Sequence, residues 1–154
     1  MTGRDTARSR PRPGERARTV GRWALGGMLA IAGTAHLTFQ RQEFQAQVPA
    51  WIPADADAVV LASGVVEIAL GAALVALPRH RRLLGAATAA FFVGVFPGNI
   101  AQYVEGTDAF GLDTDRARLT RLFFQPLLVG WALWAGELLP PRGAPRHGRT
   151  GPGA

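Results

Sequence analysis

The sequence contains no cysteine and no lysine, and these absences exclude several classes of function. All seventeen basic residues among the 154 are arginine. Without cysteine the chain has no disulfide, no thiolate metal site and no thiol redox chemistry. The remaining residues form no recognisable metal-ligand set, nucleophile and base pair or phosphate-binding loop. We therefore predict no metal site and no catalytic residues, and we do not expect the chain to be an enzyme on its own.

Charged residues are scarce in the middle of the chain, where four apolar segments follow one another. The segments are residues 20–39, 58–77, 83–103 and 119–139. Each has about the 20 predominantly apolar residues that a membrane-spanning helix needs. A soluble helical bundle would need a polar stripe along each helix, whereas Ser63 and Glu67 are the only polar side chains of the second segment. The pattern predicts an all-α fold, an antiparallel integral-membrane four-helix bundle over residues 19–140.

Arginine is concentrated in the two ends of the chain, which are poor in apolar residues. We predict that residues 1–18 and 141–154 are disordered tails. With four spans, the two ends and the turn at 78–82 share one side of the membrane. That side has seven arginines in the N-terminal region, three in the turn and three in the C-terminal tail, whereas the other side has four. The positive-inside rule then places both termini in the cytoplasm of a bacterial inner membrane. We interpret the net charge of +6 as setting the topology and attracting anionic lipid. No nucleic-acid partner is predicted.

Five polar side chains lie near the ends of the spans that this topology places outside. They are His36, Glu67, Asn99, Arg121 and Gln125, and Ser63 and Gln102 lie at a similar depth. Antiparallel connectivity brings them into one layer, and an ionisable group inside a membrane is a candidate for function by default. We predict a ligand-binding polar pocket centred on Glu67, with Arg121 at its mouth and the other three on its walls. A purely structural role as interhelical hydrogen bonds stays open.

Small residues predict which helix faces pack together. Gly64 and Gly71 share a helical stripe with Glu67, and Gly33 shares one with His36. Small residues permit close approach of helices in membranes, so Gly33, Gly64 and Gly71 are predicted to be packing positions. Glu67 is therefore expected to face the interior.

Two prolines interrupt the third and fourth segments. Proline has no backbone N–H, so Pro97 and Pro126 each leave the carbonyl four residues earlier without its usual hydrogen-bond donor. In lipid a freed carbonyl needs another partner. The neighbouring amide side chains, Asn99 and Gln125, are expected to supply it.

The connections carry two further predictions. Residues 41–57 space Phe44, Val48 and Trp51 along one face of a short helix, which we expect to lie in the membrane interface with Trp51 as its anchor. The turn at 78–82 is short, so the second and third segments are predicted to form a close antiparallel pair.

Five blocks of sequence recur in the same order in a known group of proteins. They are GTAHLTF (33–39), VPAWIP (48–53), SGVVEIALGAAL (63–74), VFPGNIAQY (95–103) and RLFFQPLLVGWALW (121–134). From Arg22 to Gly136 the chain resembles the DoxX-like family of small four-helix bacterial membrane proteins. Some of those proteins are associated with respiratory or thiosulfate–quinone oxidoreductase complexes, and others with maturation or oxidative-stress assemblies. The resemblance implies a four-span fold, whereas the missing cysteines argue against a thiol-exchange role.

Three functions are compatible with these residues. The first is a non-catalytic accessory subunit of a membrane complex. The second is a quinone-binding redox subunit, in which Glu67 and His36 hydrogen-bond the quinone head group. The third is a small oligomeric transporter or proton-coupled permease that uses Glu67. The expected partners are the lipid bilayer and other membrane subunits or further copies of the chain.

Overall fold

The structure, a computed structural model, describes residues 14–139. Over that range it contains α-helices and one 3-10 turn, without a β-strand, which confirms the all-α prediction there. The helices are α1 (Glu15–Leu37), α2 (Arg41–Gln45), α3 (Ala56–Ala76), α4 (Arg81–Glu105) and α5 (Asp115–Ala135). The 3-10 turn, Pro78–His80, joins α3 to α4.

Helices α3 and α5 begin at capping residues, and these positions differ from the ends of the apolar segments. Thr114 accepts a hydrogen bond from the backbone N–H of Ala117, so α5 begins at Asp115 and the predicted segment 119–139 is too late by about one turn. Similarly, Asp55 accepts from Ala58 and caps α3.

The first predicted segment also differs from its helix. α1 begins at Glu15, so residues 15–18 are helical although they belong to a stretch predicted to be disordered. The rest of that predicted tail, residues 1–13, and the whole of the predicted tail 141–154 lie outside the described residues.

The four long helices pack mainly as two antiparallel pairs, α1 with α3 and α4 with α5. Contact between α3 and α4 is slight although the turn that joins them is short. The close pairing predicted for these two helices is therefore wrong. Glycines allow α4 to approach α5 instead. A Cβ on Gly85 of α4 would lie only 2.6 Å from the Cα of Gly136, at the end of α5, so the two backbones are in contact there.

The α1–α3 interface is built on glycine. A Cβ placed on Gly33 would lie 2.5 Å from the carbonyl oxygen of Gly64, and a Cβ on Gly71 would lie 2.5 Å from that of Gly26. The order of these contacts reverses between the two helices, which makes the pair antiparallel. Gly33, Gly64 and Gly71 thus lie where two backbones touch, and Gly26, which the stripes did not single out, completes the set.

The apolar core occupies one end of the molecule. We call the end with the Pro78–His80 turn the turn end, and the opposite end, with the connections 38–55 and 106–114, the loop end. The buried core side chains lie between the middle of the helices and the turn end; they are Leu25, Leu29, Leu74, Ala89, Phe92, Ala132 and Ala135. Trp131 adds a hydrogen bond there, from its indole N–H to the carbonyl of Gly21 at 3.1 Å.

Among residues 14–139, two helical stretches are long and apolar enough to cross a membrane. They are Ala56–Ala76 and Pro78–Glu105, the second including the 3-10 turn. Only 28% of the most apolar 18-residue window of each stretch is buried inside the protein.

Candidate functional site

A cavity of about 410 Å³ lies at the loop end, with walls from all five helices. Its volume falls within the range of roughly 300–1,000 Å³ that is typical of small-molecule sites. All five side chains of the predicted polar pocket line it: His36, Glu67, Asn99, Arg121 and Gln125. Most of the remaining wall is apolar, so the cavity combines an apolar body with a few polar groups.

Glu67 and His36 face each other across the α1–α3 interface. Both residues are 7% exposed, and the Nδ1 atom of His36 lies 3.0 Å from the Oε2 atom of Glu67. The same Nδ1 lies 2.8 Å from the carbonyl oxygen of Ala32, one turn earlier in α1. The carbonyl can only accept, so Nδ1 carries a hydrogen, and that hydrogen is directed at Ala32.

One carboxylate oxygen of Glu67 is consequently left without a donor. Its Oε2 atom is buried and has no hydrogen bond of acceptable geometry, although it lies within ion-pair distance of His36. Because the Nδ1–H of His36 is directed at Ala32, the 3.0 Å between Nδ1 and Oε2 is a close contact without a hydrogen bond. Buried polar atoms are nearly always hydrogen-bonded. Glu67 lines the cavity, so an unfilled acceptor position lies on one of the cavity's own residues.

Asn99 and Gln125 form a bridge between α4 and α5. The Nδ2 atom of Asn99 donates to Oε1 of Gln125 at 3.0 Å, and Nε2 of Gln125 donates to the carbonyl oxygen of Phe92 at 2.5 Å. Asn99 and Gln125 were predicted to bond the carbonyls freed by the prolines, and Pro97 frees that of Val93. Gln125 bonds the carbonyl of Phe92 instead, so that prediction is corrected. Val93 is on the exposed face of α4, whereas Phe92 is on the buried face that Gln125 can reach.

Arg121 lies at the edge of the cavity, as expected of a residue at its mouth. It also lines a surface groove beside α1. Its two terminal nitrogens donate to the amide oxygens of Gln47 at 3.1 Å and of Gln102 at 3.4 Å. Arg121 is not ion-paired with Glu67, so the two opposite charges of the pocket act at separate places on its wall.

The two connections at the loop end meet over the cavity through an aromatic column. The ring of Phe44, from α2, stacks on His36 with centroids 3.4 Å apart, and Phe110 meets Phe44 edge-on at 4.6 Å. Arg121 lies over the Phe110 ring, 4.7 Å from its centroid. Phe110 has φ of 58°, an uncommon conformation for a bulky residue, and its N–H donates to the Glu43 carboxylate at 2.6 Å.

This column changes the interpretation of the first connection. Phe44 and Val48 line the cavity, and Trp51 at its edge is 70% exposed. Arg41 donates to both carboxylate oxygens of Asp57 and so fastens α2 to the start of α3. That hydrogen bond raises the pKa of Arg41 above its ordinary value.

Several residues of the site did not stand out in the sequence. The main ones are Gln47, Phe110 and Arg118, of which the first two lie in irregular connections. Phe44 and Gln102 were singled out in the sequence, but their contacts with His36 and Arg121 were not predicted. Gln102 is 2% exposed and joins Gln47, Arg121 and the second connection. Helical periodicity cannot place a residue in an irregular connection, so the position of Phe110, and with it the aromatic column, could not be predicted.

Comparisons with known proteins give one finding. A family model, described as a domain of unknown function (DUF8561), matches residues 25–136. This range includes every side chain of the cavity discussed above. Comparison with curated proteins and with solved structures gave no match.

Proposed function

The chain belongs to the family of the domain of unknown function DUF8561, and we propose that it is a membrane-embedded accessory subunit that holds a small ligand in its loop-end cavity. The observation that carries this proposal is that Glu67 lines the cavity while its buried Oε2 atom has no hydrogen-bond donor. Leaving such a group unpaired costs about 1–3 kcal/mol, and a ligand that donates to it recovers part of that free energy.

The membrane placement is supported by the exposed faces of the helices. The stretches Ala56–Ala76 and Pro78–Glu105 are mostly exposed, whereas the core helix of a soluble protein would be mostly buried. The other two long helices also expose large apolar side chains, such as Ile31 at 70% on α1 and Phe123 at 67% on α5. Exposed apolar area on all sides is typical of a lipid-facing surface. We therefore propose four spans, in a four-helix bundle of the DoxX-like kind, with both termini cytoplasmic.

Single cysteines test this topology, because the chain has none of its own. Gln42 and Asp113 are exposed at the loop end, and Arg79 is exposed at the turn end. An impermeant maleimide added to intact cells should label Gln42→Cys and Asp113→Cys but not Arg79→Cys. Labelling of Arg79→Cys before lysis would contradict the proposed orientation.

The chemistry of the cavity favours an amphipathic ligand with a hydroxyl or N–H group at its polar end. That group would donate to Glu67, while an apolar body would contact the wall near Phe92 and Leu128. A reduced quinone is one compound of this class, in agreement with the redox complexes that the DoxX-like resemblance implies. Glu67 is the proposed ligand contact and His36 its neighbour; neither is proposed to be catalytic.

The experiment is to purify the full chain from its native membrane in mild detergent and identify bound small molecules and partner subunits by mass spectrometry. Wild type should retain an amphipathic compound, and Glu67→Leu should lose it. Glu67→Gln keeps an acceptor oxygen and should retain most of it. Glu105→Gln is the matched control, because Glu105 is an exposed carboxylate at the same end. Equal recovery from Glu67→Leu and wild type would contradict the proposal.

A transporter that uses Glu67 is the alternative. It requires a path past the turn end, where Leu25 and Leu74 are 0% exposed and the backbones of Gly26 and Gly71 are in contact. The position of the cavity at one end only therefore favours binding over transport. Proton or substrate flux in liposomes that is abolished by Glu67→Gln would support the alternative.

A further inference from the structure

Two arginines one helical turn apart on α5 have opposite electrostatic surroundings. Arg118 is buried and ion-paired with Asp108 and Asp115. Arg121 has no carboxylate within ion-pair distance among residues 14–139; its partners are two amide oxygens and the face of Phe110. A partly buried charge without a counter-ion is unfavourable unless something supplies the opposite charge.

Arg121 retains the donors that an anion would need. A guanidinium has five N–H groups in a planar fork that matches a carboxylate or phosphate. One N–H directed at Gln47 and one directed at Gln102 account for its side-chain hydrogen bonds in the described chain. Three N–H groups thus remain for a ligand.

The surface groove that ends at Arg121 runs along α1 and is otherwise uncharged. Its volume is about 810 Å³, and its lining includes Ala24, Gly27, Ile31, Phe39 and Phe110. Arg121 is the one charged residue among the described residues that line it. From Ala24 to the end of α1 at Leu37 the helix rises about 20 Å, whereas one leaflet of a bilayer has about 15 Å of hydrocarbon. The groove is therefore long enough for an extended acyl chain.

The sign of the neighbouring charges separates this groove from the cavity. An anion in the cavity would approach Glu67, whereas the groove presents only the positive charge of Arg121. We infer that the groove binds an anionic lipid, with its acyl chain against Gly27 and Ile31 and its phosphate or carboxylate on Arg121. This site rests on the membrane placement proposed above but not on a ligand at Glu67.

The test is native mass spectrometry of the full chain released from micelles that contain equal amounts of phosphatidylglycerol and phosphatidylcholine with the same acyl chains. Both lipids carry a phosphate that can accept from Arg121, but the trimethylammonium group of phosphatidylcholine repels the guanidinium, so wild type should retain the anionic lipid about tenfold more than the zwitterionic one. Arg121→Gln should remove this preference, and Arg121→Lys should keep much of it because the charge remains. A wild type that retains both lipids equally would overturn the inference.

Two further variants distinguish the groove from other anion sites. A Cβ on Gly27 meets no atom within 4 Å, so Gly27→Leu should leave the melting temperature unchanged while it fills the groove and lowers lipid retention. Glu67→Gln should leave the lipid preference intact; if it abolishes the preference, the lipid lies in the cavity and the groove assignment is wrong. Displacement of phosphatidylglycerol by inorganic phosphate, with no effect of Gly27→Leu, would instead identify a site for a free anion.

Discussion

The turn end and the loop end of the same four helices differ in how they are filled. At the turn end, Leu25 and Leu74 are 0% exposed, and glycines let helix backbones touch. At the loop end, the helices surround about 410 Å³ of space, and amide and arginine side chains cross it. Protein interiors are normally close-packed, so the loop end departs from ordinary core packing, whereas the turn end follows it.

Residue types explain how one helix can take part in both regions. α3 carries Gly71 and Leu74 towards the turn end, but Ser63 and Glu67 in its loop-end half. α4 and α5 carry Pro97 and Pro126 in their loop-end halves, where proline interrupts the hydrogen-bond ladder. α1 and α3 touch in both halves, at Gly26 and Gly71 and at Gly33 and Gly64. The open space at the loop end therefore lies between this pair and the α4–α5 pair, which both line the cavity.

The largest effect is expected for a large side chain placed between touching backbones. Gly71→Leu should prevent the α1–α3 contact, because even its Cβ would lie 2.5 Å from the carbonyl oxygen of Gly26. The loss should exceed the roughly 1–3 kcal/mol of ordinary overpacking, and little folded protein is expected by size-exclusion chromatography in detergent. The matched variant is Gly94→Leu at the cavity, where a Cβ meets no atom within 4 Å. Equal tolerance of both variants would remove the distinction between the two ends.

The next effect concerns large-to-small replacements. Leu74→Ala should cost about 2–5 kcal/mol, as is usual for a fully buried leucine. Leu128→Ala should cost less, about 1 kcal/mol, because Leu128 already borders empty space and loses fewer contacts. Thermal unfolding followed by tryptophan fluorescence compares the two. A larger loss at Leu128 would mean that the cavity is closed by packing in solution.

A smaller effect is expected at the polar bridge of the loop end. Gln125→Leu keeps the volume but leaves the amide of Asn99 without its acceptor and removes the donor to Phe92. The expected loss is about 1–3 kcal/mol. Asn99→Ala should cost less, because Gln125 keeps its bond to the backbone. If Gln125→Leu raises the melting temperature, the bridge is not a source of stability at this end.

The helices and the location of the polar layer could be predicted from the sequence, because they depend on periodicity and on residues such as Glu67 in an apolar run. The stripe of Gly64 and Gly71 likewise faces another helix, since a contact between two regular helices follows from spacing alone. The helix that this stripe faces could not be predicted. The short turn at 78–82 favoured α4 as the neighbour of α3, whereas the backbone contacts of α3 are with α1.

The parts that could not be predicted involve hydrogen-bond direction and irregular chain. Gln125 bonds to the carbonyl of Phe92 and not to that of Val93 because Phe92 is on the buried face of α4. The stacking of Phe44 on His36 depends on how residues 38–40 turn the chain after α1, and no periodic pattern describes such a turn.

The smallest effect is expected at the rim of the loop end, where Arg41 and Asp57 pair at the surface. Both side chains are more than a third exposed, and exposed ion pairs contribute little because water and salt screen them. Arg41→Gln should therefore shift the melting temperature less than any variant above, and by less at high salt than at low salt. Arg79→Gln, at an exposed arginine of the turn end, is the control for a change in net charge alone. A shift with Arg41→Gln as large as that with Leu128→Ala, and unchanged by salt, would mean that the connection over the cavity is held by this pair and not by the stacking of Phe44 on His36.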